Sequence, residues 1–209
     1  VVAGPTFGEY EHAAAVSGAV VCEVRAAADT GFALDLDELT RAITRHDARV
    51  LFLCTPNNPT GVLTPVAALS GLAERHPDTL VVVDEAYLPF AGGCPGGPGG
   101  SALTTGLQPN LLVLRSLTKD CAIPGLRLGF AVAPEPVIAA LASLQPTWSV
   151  NALAQAAGLA ALDDTEHWDR SLRALAEAKD YLETALLAFG LIVHPSAANF
   201  LLVDAVSGP

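Results

Sequence analysis

Two isolated cations lie in a stretch of otherwise small and apolar side chains. Residues 116–130 read SLTKDCAIPGLRLGF, with Lys119 and Arg127 eight residues apart. A lysine amine can act as a nucleophile or as a base, and an arginine can bind a phosphate through paired, charge-assisted hydrogen bonds. The simpler explanation is a loop followed by a buried strand, with two cations that reach solvent along their apolar stems.

Other polar side chains follow apolar runs of the sequence. One run leads into TPNNPTG and the amide of Asn58, a second leads into Asp84, and a third leads into SLTK and Lys119. In an open α/β sheet, ligands collect at the carboxyl ends of the strands, so we expect these three groups at one sheet edge. Taken singly, they have simpler explanations, namely a turn, a helix cap and a solvated lysine. Their joint position after predicted strands favours a shared ligand site.

Strands and helices must position these residues, and the sequence predicts them from short β-branched runs that alternate with helical stretches. Strands are predicted at 19–24, 49–54, 79–87, 110–116 and 126–133, and helices at 35–46 and 64–76. Thr64 is the expected N-cap of the second helix, with Pro65 at its first position. This alternation predicts a three-layer α/β fold, with helices on the faces of a parallel or mostly parallel sheet.

The pattern changes after about residue 145. Two long helical stretches and two strand-like runs follow, at 150–164, 166–190, 191–195 and 198–205. We therefore predict a large α/β domain over residues 1–145 and the start of a smaller α+β domain over residues 146–209. The glycine- and proline-rich segment 92–100 is predicted to be a loop.

The charge of the chain restricts its partners. The 209 residues carry 22 acidic and 11 basic side chains, a formal net charge of −11. A surface of this sign repels phosphate backbones and anionic lipids, so we expect neither nucleic acid nor a membrane as a partner. No apolar run reaches membrane-spanning length and no secretory signal is visible, which predicts a cytoplasmic location.

The cysteines do not form a recognisable metal-binding or redox pattern. Cys22, Cys54, Cys94 and Cys121 include no CxxC pair and have no metal-like spacing with histidine. Four widely spaced thiols in a chain of this size favour reduced cysteines over disulfides. We therefore predict no metal site and no disulfide framework.

The ordered motifs TPNNPTG, DEAY and SLTK…GLRLG resemble those of the fold-type I pyridoxal-phosphate enzymes, specifically the class I/II aminotransferases. Within that family the chain looks most similar to the histidinol-phosphate aminotransferases and the threonine-phosphate decarboxylases. The resemblance extends over essentially the whole chain, from PTFGEYE to SAANFLLV.

The resemblance implies pyridoxal 5'-phosphate as cofactor and assigns a catalytic role to three residues. Lys119 would bind the cofactor covalently as a Schiff base and move protons at the substrate Cα. Asp84 would lie against the pyridine nitrogen and keep it protonated, so that the ring can accept electrons. Tyr87, together with Asn58, would hydrogen-bond to the 3-oxygen of the cofactor ring.

The resemblance also assigns residues that bind the rest of the cofactor. Phe7 matches the position of an aromatic ring that stacks on the cofactor, with simple core packing as the alternative. Ser116, Thr118 and Arg127 match phosphate-binding positions, although Thr118 could instead only support its loop. We interpret Tyr10 as a structural or pocket-wall residue.

The implied activity is transfer of an amino group between an amino donor and a keto-acid acceptor, with an amino acid or amino-alcohol phosphate as substrate. Decarboxylation of a phosphorylated amino acid uses the same residues and remains an alternative. A non-catalytic aminotransferase-like sensor of pyridoxal phosphate is a further alternative, as is a shortened chain that binds little cofactor.

The resemblance implies a homodimer with sites shared across its interface, and a longer protein. The family has a glycine-rich phosphate-binding loop, and a tyrosine that reaches the partner's site, upstream of the position of Val1. An arginine that binds the substrate carboxylate lies beyond the position of Pro209. The chain contains no methionine, which also leads us to expect preceding residues.

Overall fold

A computed structural model describes residues 1–92 and 100–204, and in this part of the chain six strands form one sheet. The strands, in chain order, are β1 (Val2–Gly4), β2 (Glu23–Arg25), β3 (Val50–Cys54), β4 (Leu80–Asp84), β5 (Leu111–Ser116) and β6 (Gly129–Val132). Their order across the sheet is β2-β1-β3-β4-β5-β6, and all neighbours are parallel except β5 and β6. The prediction of a mostly parallel sheet is confirmed.

Helices connect and follow these strands. They are α1 (Glu9–Val16), α2 (Leu36–Arg45), α3 (Val66–Arg75), α4 (Leu117–Asp120), α5 (Glu135–Leu144), α6 (Ala152–Asp163) and α7 (Thr165–Ala188). The predicted helices at 35–46 and 64–76 are confirmed as α2 and α3. The predicted strand at 19–24 is largely wrong, because the backbone is irregular up to residue 22 and β2 covers only three residues.

The predicted cap of α3 is wrong. Pro65 occupies the N-cap position and makes no side-chain capping bond. Thr64 is buried one residue earlier, where its backbone N–H donates to Thr55 Oγ1 at 2.9 Å. Thr64 therefore anchors the loop after β3 instead of starting the helix. In contrast, Asp35 caps α2 and accepts a hydrogen bond from the Glu38 N–H at 2.9 Å.

The main core lies on the face of the sheet that packs against α2 and α3. In β3, β4 and β5 the side chains at odd-numbered positions point to this face. The cluster contains Leu51, Leu53, Val81, Val83, Leu111 and Val113 from the strands and Leu39, Ile43, Leu69 and Leu72 from the helices. Apolar burial of this extent is the principal stabilising contribution to an α/β sheet of this kind.

A smaller cluster covers part of the opposite face. It contains Val2, Tyr10 and Cys54, with Phe52 packed against them. Asp84 has the same parity as Phe52 and Cys54 and is the register partner of Cys54, so its side chain is on this second face. Helix α1 thereby places Tyr10 beside the end of β4.

The chain after residue 145 contains the two predicted helical stretches, as α6 and α7, and a separate antiparallel pair. This pair consists of β7 (Ile192–His194) and β8 (Leu202–Asp204). Its connecting segment lies on the loop after β3, where the Ala197 N–H donates to the Gly61 carbonyl at 2.8 Å. Lys179 of α7 donates to the carbonyl of Ser196 in the same segment.

Cys22, Cys54 and Cys121 are free thiols, whereas Cys94 and most of the predicted loop 92–100 lie outside the described residues. Among the helices of the described ranges, none combines the length and apolar character needed to cross a membrane.

Candidate active site

The register of three parallel strands brings the candidate residues to one edge of the sheet. Cys54 at the end of β3 pairs with Asp84 at the end of β4, and Asp84 pairs with Leu114 near the end of β5. Burial raises the pKa of the Cys54 thiol to about 11, with a further contribution from the charge of Asp84 and an opposing one from Lys119. The strand register therefore places Asp84 beside Cys54.

Asp84 is half-buried and both of its carboxylate oxygens accept hydrogen bonds. Oδ1 accepts from the Ala86 N–H at 2.9 Å, and Oδ2 accepts from the Tyr10 hydroxyl at 2.7 Å. These two bonds fix the plane of the carboxylate. The sequence suggested no partner for Asp84, because Tyr10 is 74 residues away along the chain.

Lys119 lies on α4, the single helical turn that follows β5 directly. Its side chain is exposed, and its Nζ lies 5.2 Å from the centroid of the Tyr87 ring. An ammonium or amine at that distance from an aromatic face is held near the ring while remaining accessible to a ligand. The structure thus brings the predicted lysine and tyrosine together.

Aromatic contacts also hold the Tyr87 ring in place. It packs edge-to-face against Phe200 with a centroid distance of 5.0 Å and is tilted against Phe90 at 6.4 Å. Burial raises the pKa of the Tyr87 hydroxyl, and the nearby Cys54 and Asp84 raise it further. The hydroxyl is therefore protonated at neutral pH and can donate a hydrogen bond to a ligand.

Ser116 and Thr118 form a hydroxyl pair at the start of α4. Their oxygens share a hydrogen bond of 2.6 Å, and Ser116 Oγ also accepts from the Thr118 N–H at 3.3 Å. The antiparallel β5–β6 pairing places Gly129 opposite Ser116, and the Leu117 N–H donates to the Leu128 carbonyl at 3.1 Å. The residues preceding β6 are thereby brought alongside the hydroxyl pair.

Arg127 lies just before β6 and is exposed. Its φ of 57° is in the left-handed region, which costs an L-residue free energy and is enriched at functional sites. Its Nη1 donates to the Pro124 carbonyl at 3.0 Å, which leaves its other donors available. The structure therefore places an accessible guanidinium in the segment that runs beside Ser116.

The two asparagines of TPNNPTG have different environments. Asn57 accepts from Thr6 Oγ1 at 2.7 Å and donates to the Pro5 carbonyl and to Thr60 Oγ1, each at 2.8 Å. It ties the loop to residues 5 and 6, a structural role that the sequence analysis did not identify. Asn58 is half-buried, and within the described residues its side chain makes no hydrogen bond that competes with a ligand.

Phe7 is 46% exposed, so core packing does not account for it. Its ring contacts Tyr10 edge-to-face at a centroid distance of 5.7 Å and an interplanar angle of 78°. One edge of the ring is thus fixed while much of its surface is accessible. This environment suits a ring that stacks on a planar ligand.

Glu85, which the sequence analysis did not single out, is fully buried next to the site. It accepts hydrogen bonds from the Ser101 hydroxyl at 2.7 Å and the Ala102 N–H at 2.6 Å, and it pairs with Arg115 Nε at 3.0 Å. Burial raises the pKa of Glu85, and these three contacts oppose that effect. The acid joins β4, β5 and the segment that begins at residue 100.

The fold and the site define the class of protein. The family model for aminotransferase class I and II matches residues 1–209, and the chain belongs to that family. This finding agrees with the six-stranded, mostly parallel sheet and with the resemblance of the three motifs.

The chain is similar to histidinol-phosphate aminotransferases, among other proteins. The chain is 43% identical to the one from Symbiobacterium thermophilum, over 98% of this chain and 55% of that protein. It is 40% identical to the one from Moorella thermoacetica, over 98% and 52%. A solved histidinol-phosphate aminotransferase from Sinorhizobium meliloti, in complex with pyridoxal-5'-phosphate, has a TM-score of 0.88 at 25% identity and is matched over 98% of this chain and 54% of that one. The chain thus spans about half the length of the relatives it matches.

The Glu85 network generates a stability prediction. Glu85→Gln replaces the buried anion by a neutral amide, so Arg115 loses its ion-pair partner. The N–H groups of the new amide would also face the donors Ser101 and Ala102, which need an acceptor. We expect a loss of about 2–4 kcal/mol in the free energy of unfolding, measured by urea denaturation, because breaking a buried ion pair is strongly destabilising. Glu166→Gln is the matched control, since it breaks an exposed pair with Arg170 and should cost less than about 1 kcal/mol. Equal losses of unfolding free energy in the two variants would contradict a stabilising role for the buried Glu85–Arg115 pair.

Proposed function

We propose that this chain is the cofactor-binding part of a pyridoxal-phosphate-dependent aminotransferase that acts on an amino acid or amino-alcohol phosphate. The observation that carries the proposal is the meeting of Asp84, Tyr87 and Lys119 at one sheet edge, with the lysine Nζ 5.2 Å from the tyrosine ring. The names of the similar proteins support histidinol phosphate as the kind of substrate.

The residues present fit pyridoxal 5'-phosphate in charge and in hydrogen-bonding character. Asp84 offers an anion for the ring nitrogen, and the exposed Phe7 ring offers a surface for stacking. Asn58 and Tyr87 offer donors to the 3-oxygen. The bound cofactor of the Sinorhizobium meliloti structure supports the choice of ligand.

The phosphate of the cofactor requires donors and positive charge. Ser116 and Thr118 offer hydroxyls that are already aligned with each other, and Arg127 offers forked, charge-assisted donors. These three residues are therefore proposed as the part of the phosphate site that this chain supplies.

When bound, pyridoxal phosphate supplies a conjugated ring that accepts the electron pair left at the substrate Cα. Lys119 would hold the cofactor covalently through its amine and, when that amine is free, would carry the proton from the substrate Cα to the cofactor carbon that keeps the amino nitrogen. Its flexible four-carbon stem and its exposure allow both positions. Asp84 would keep the ring nitrogen protonated, and the Tyr87 hydroxyl would stabilise negative charge on the 3-oxygen of the ring.

We further propose that residues 146–209 begin a smaller domain and that the protein acts as a cytoplasmic homodimer. Large apolar side chains are exposed on the helices after residue 145 and on the segment before α6, including Trp148, Leu153 and Leu159. Apolar surface of this kind is typically covered by another segment or subunit. Sedimentation of the full-length protein tests the dimer.

Decarboxylation is the competing reaction, because it uses the same lysine, aspartate and phosphate-binding residues. We expect the protein loaded with pyridoxal phosphate to convert histidinol phosphate and 2-oxoglutarate to the corresponding carbonyl product and glutamate, detected by mass spectrometry. Release of carbon dioxide from a phosphorylated amino acid, without formation of glutamate, would instead support the decarboxylase.

The lysine assignment is tested by spectroscopy. Lys119→Ala should abolish the visible absorbance band of the covalently bound cofactor, because no amine remains at the site to form the bond. Lys179→Ala is the matched control, since Lys179 is the only other lysine in the chain and contacts Ser196. It should retain the band. A band that persists in Lys119→Ala and disappears in Lys179→Ala would show that the assignment is wrong.

The phosphate assignment is tested by cofactor affinity. Arg127→Ala should weaken binding of pyridoxal phosphate by about 10- to 100-fold, the effect of losing hydrogen bonds to a charged group, while the absorbance band still forms at saturating cofactor. Arg170→Ala, at an exposed arginine of α7, is the control and should leave affinity unchanged. Unchanged affinity in Arg127→Ala would exclude its proposed phosphate role.

A further inference from the structure

Tyr10 is held against the end of β4 by two independent contacts. Its ring stacks on Phe52 of β3 with a centroid distance of 5.3 Å and an interplanar angle of 9°. Its hydroxyl donates to Asp84 Oδ2 at 2.7 Å. The side chain is buried, with 7% of the residue exposed. The stacking sets the position of the ring, and the ring then sets the direction from which Asp84 receives its hydrogen bond.

In its contact with Asp84, the Tyr10 hydroxyl is the hydrogen-bond donor and the carboxylate is the acceptor. Burial raises the pKa of the Tyr10 hydroxyl far above its ordinary value, and the neighbouring Cys54 and Asp84 raise it further. A phenol that remains protonated next to a carboxylate stabilises the ionised form of that carboxylate. The contact therefore has a direction, from the protonated tyrosine to the aspartate anion.

The bonds that Asp84 makes within the protein leave capacity for a ligand. A carboxylate has about four lone-pair positions on its two oxygens. The Tyr10 hydroxyl uses one on Oδ2 and the Ala86 N–H uses one on Oδ1. The group is thus fixed in orientation, on the second face of the sheet, and can accept a third hydrogen bond at the open end of the strand.

We propose that Tyr10 is a positioning residue of the active site, whose hydroxyl orients the Asp84 carboxylate and keeps the shared proton on the ring nitrogen of the cofactor. This inference rests on the proposed function, in which Asp84 pairs with that nitrogen. A hydrogen bond donated to a carboxylate stabilises its ionised form relative to its protonated form, and so opposes transfer of the shared proton from the ring nitrogen to that carboxylate. The proton then remains on the nitrogen, where it allows the ring to accept electrons from the substrate.

The simpler role for Tyr10 is packing, and Tyr10→Phe separates the two roles. This variant keeps the ring that stacks on Phe52 and removes only the hydroxyl. Tyr181→Phe is the matched control, because it makes the same chemical change at a tyrosine of α7 that is 78% exposed. A packing role predicts little change at the cofactor, whereas a positioning role predicts a change in the protonation of its ring.

The experiment uses the protein loaded with pyridoxal phosphate that carries ¹⁵N at the ring nitrogen. In Tyr10→Phe the nitrogen resonance should move towards the position of a neutral pyridine, and in Tyr181→Phe it should not move. We expect kcat to fall by about 10- to 100-fold, which corresponds to the loss of one hydrogen bond to a charged group, while KM changes by less than about threefold. The visible absorbance band should remain, because Lys119 is intact.

A double substitution tests whether Tyr10 acts through Asp84. In an Asp84→Asn background, Tyr10→Phe should have little further effect on the nitrogen resonance or on kcat, since the group it acts on has been removed. A second measurement needs no substitution at Tyr10: the ¹³Cζ resonance of Tyr10 in labelled protein should shift when cofactor is added, because its carboxylate partner then forms a new pair.

The outcomes distinguish this inference from the proposed function. A visible band that depends on Lys119, together with an unchanged nitrogen resonance and unchanged kcat in Tyr10→Phe, would overturn the role of Tyr10 alone. An unmoved Tyr10 ¹³Cζ resonance in protein that shows the band would do the same. Absence of a band in the unsubstituted protein would overturn the proposed function, and the role of Tyr10 with it.

Discussion

Backbone hydrogen bonds between β3, β4 and β5 hold Cys54 beside Asp84 and Asp84 beside Leu114. Because side chains alternate along a strand, a shift of one residue in this register would turn Asp84 to the opposite face. The carboxylate would then point into the main core and away from Tyr10. The buried leucines and valines of the odd-numbered positions oppose such a shift, since they would lose their contacts with α2 and α3. Packing on one face thus specifies the site on the other.

Because side chains alternate along β4 and beyond its end, the adjacent acids Asp84 and Glu85 lie in different environments and have different roles. Asp84 is bound by one hydroxyl and one backbone N–H and keeps a free side towards the edge. Glu85 is enclosed by Arg115, Ser101 and the Ala102 N–H, so its bonding capacity is used within the protein. One acid is available to a ligand, and the other fixes the strand end that carries it. Two neighbouring residues of one motif therefore have a chemical and a structural role.

The sequence predicted the elements whose pattern is local and strong. The apolar runs of β3, β4 and β5 and the amphipathic pattern of α2 are each visible within a few residues. Asp84 and Lys119 could be identified because they lie at or just after the ends of two of these strands. Helix α1 was missed because its EYEHAAAV segment buries only Tyr10 and has no apolar stripe. Strand β1 was missed because three residues give too short a pattern to recognise.

Contacts between distant residues could not be predicted in the same way. Tyr10 and Asp84 are 74 residues apart, and Glu85 meets Ser101 across a segment whose composition predicts only a loop. The Thr64 cap was a reasonable local prediction that failed because Pro65, with an extended ψ of 139°, itself occupies the N-cap position and leaves Thr64 outside the helix. The spacing of residues along the sequence identifies which side chains lie at a strand end. The contacts that these side chains make with distant residues depend on the folded structure.

The last described segment of the chain is connected to the site through Gly61. A Cβ at Gly61 would lie 2.2 Å from Ser196 Oγ, and its φ of 71° is in the left-handed region, so only glycine is compatible with this approach. The Gly61 carbonyl accepts from the Ala197 N–H, and the Gly61 N–H donates to the Asn57 carbonyl. Residues 196 and 197 therefore bind the same turn that carries Asn58. The β7–β8 connection and the turn that carries Asn58 are therefore in direct contact, and a side chain at residue 61 would separate them.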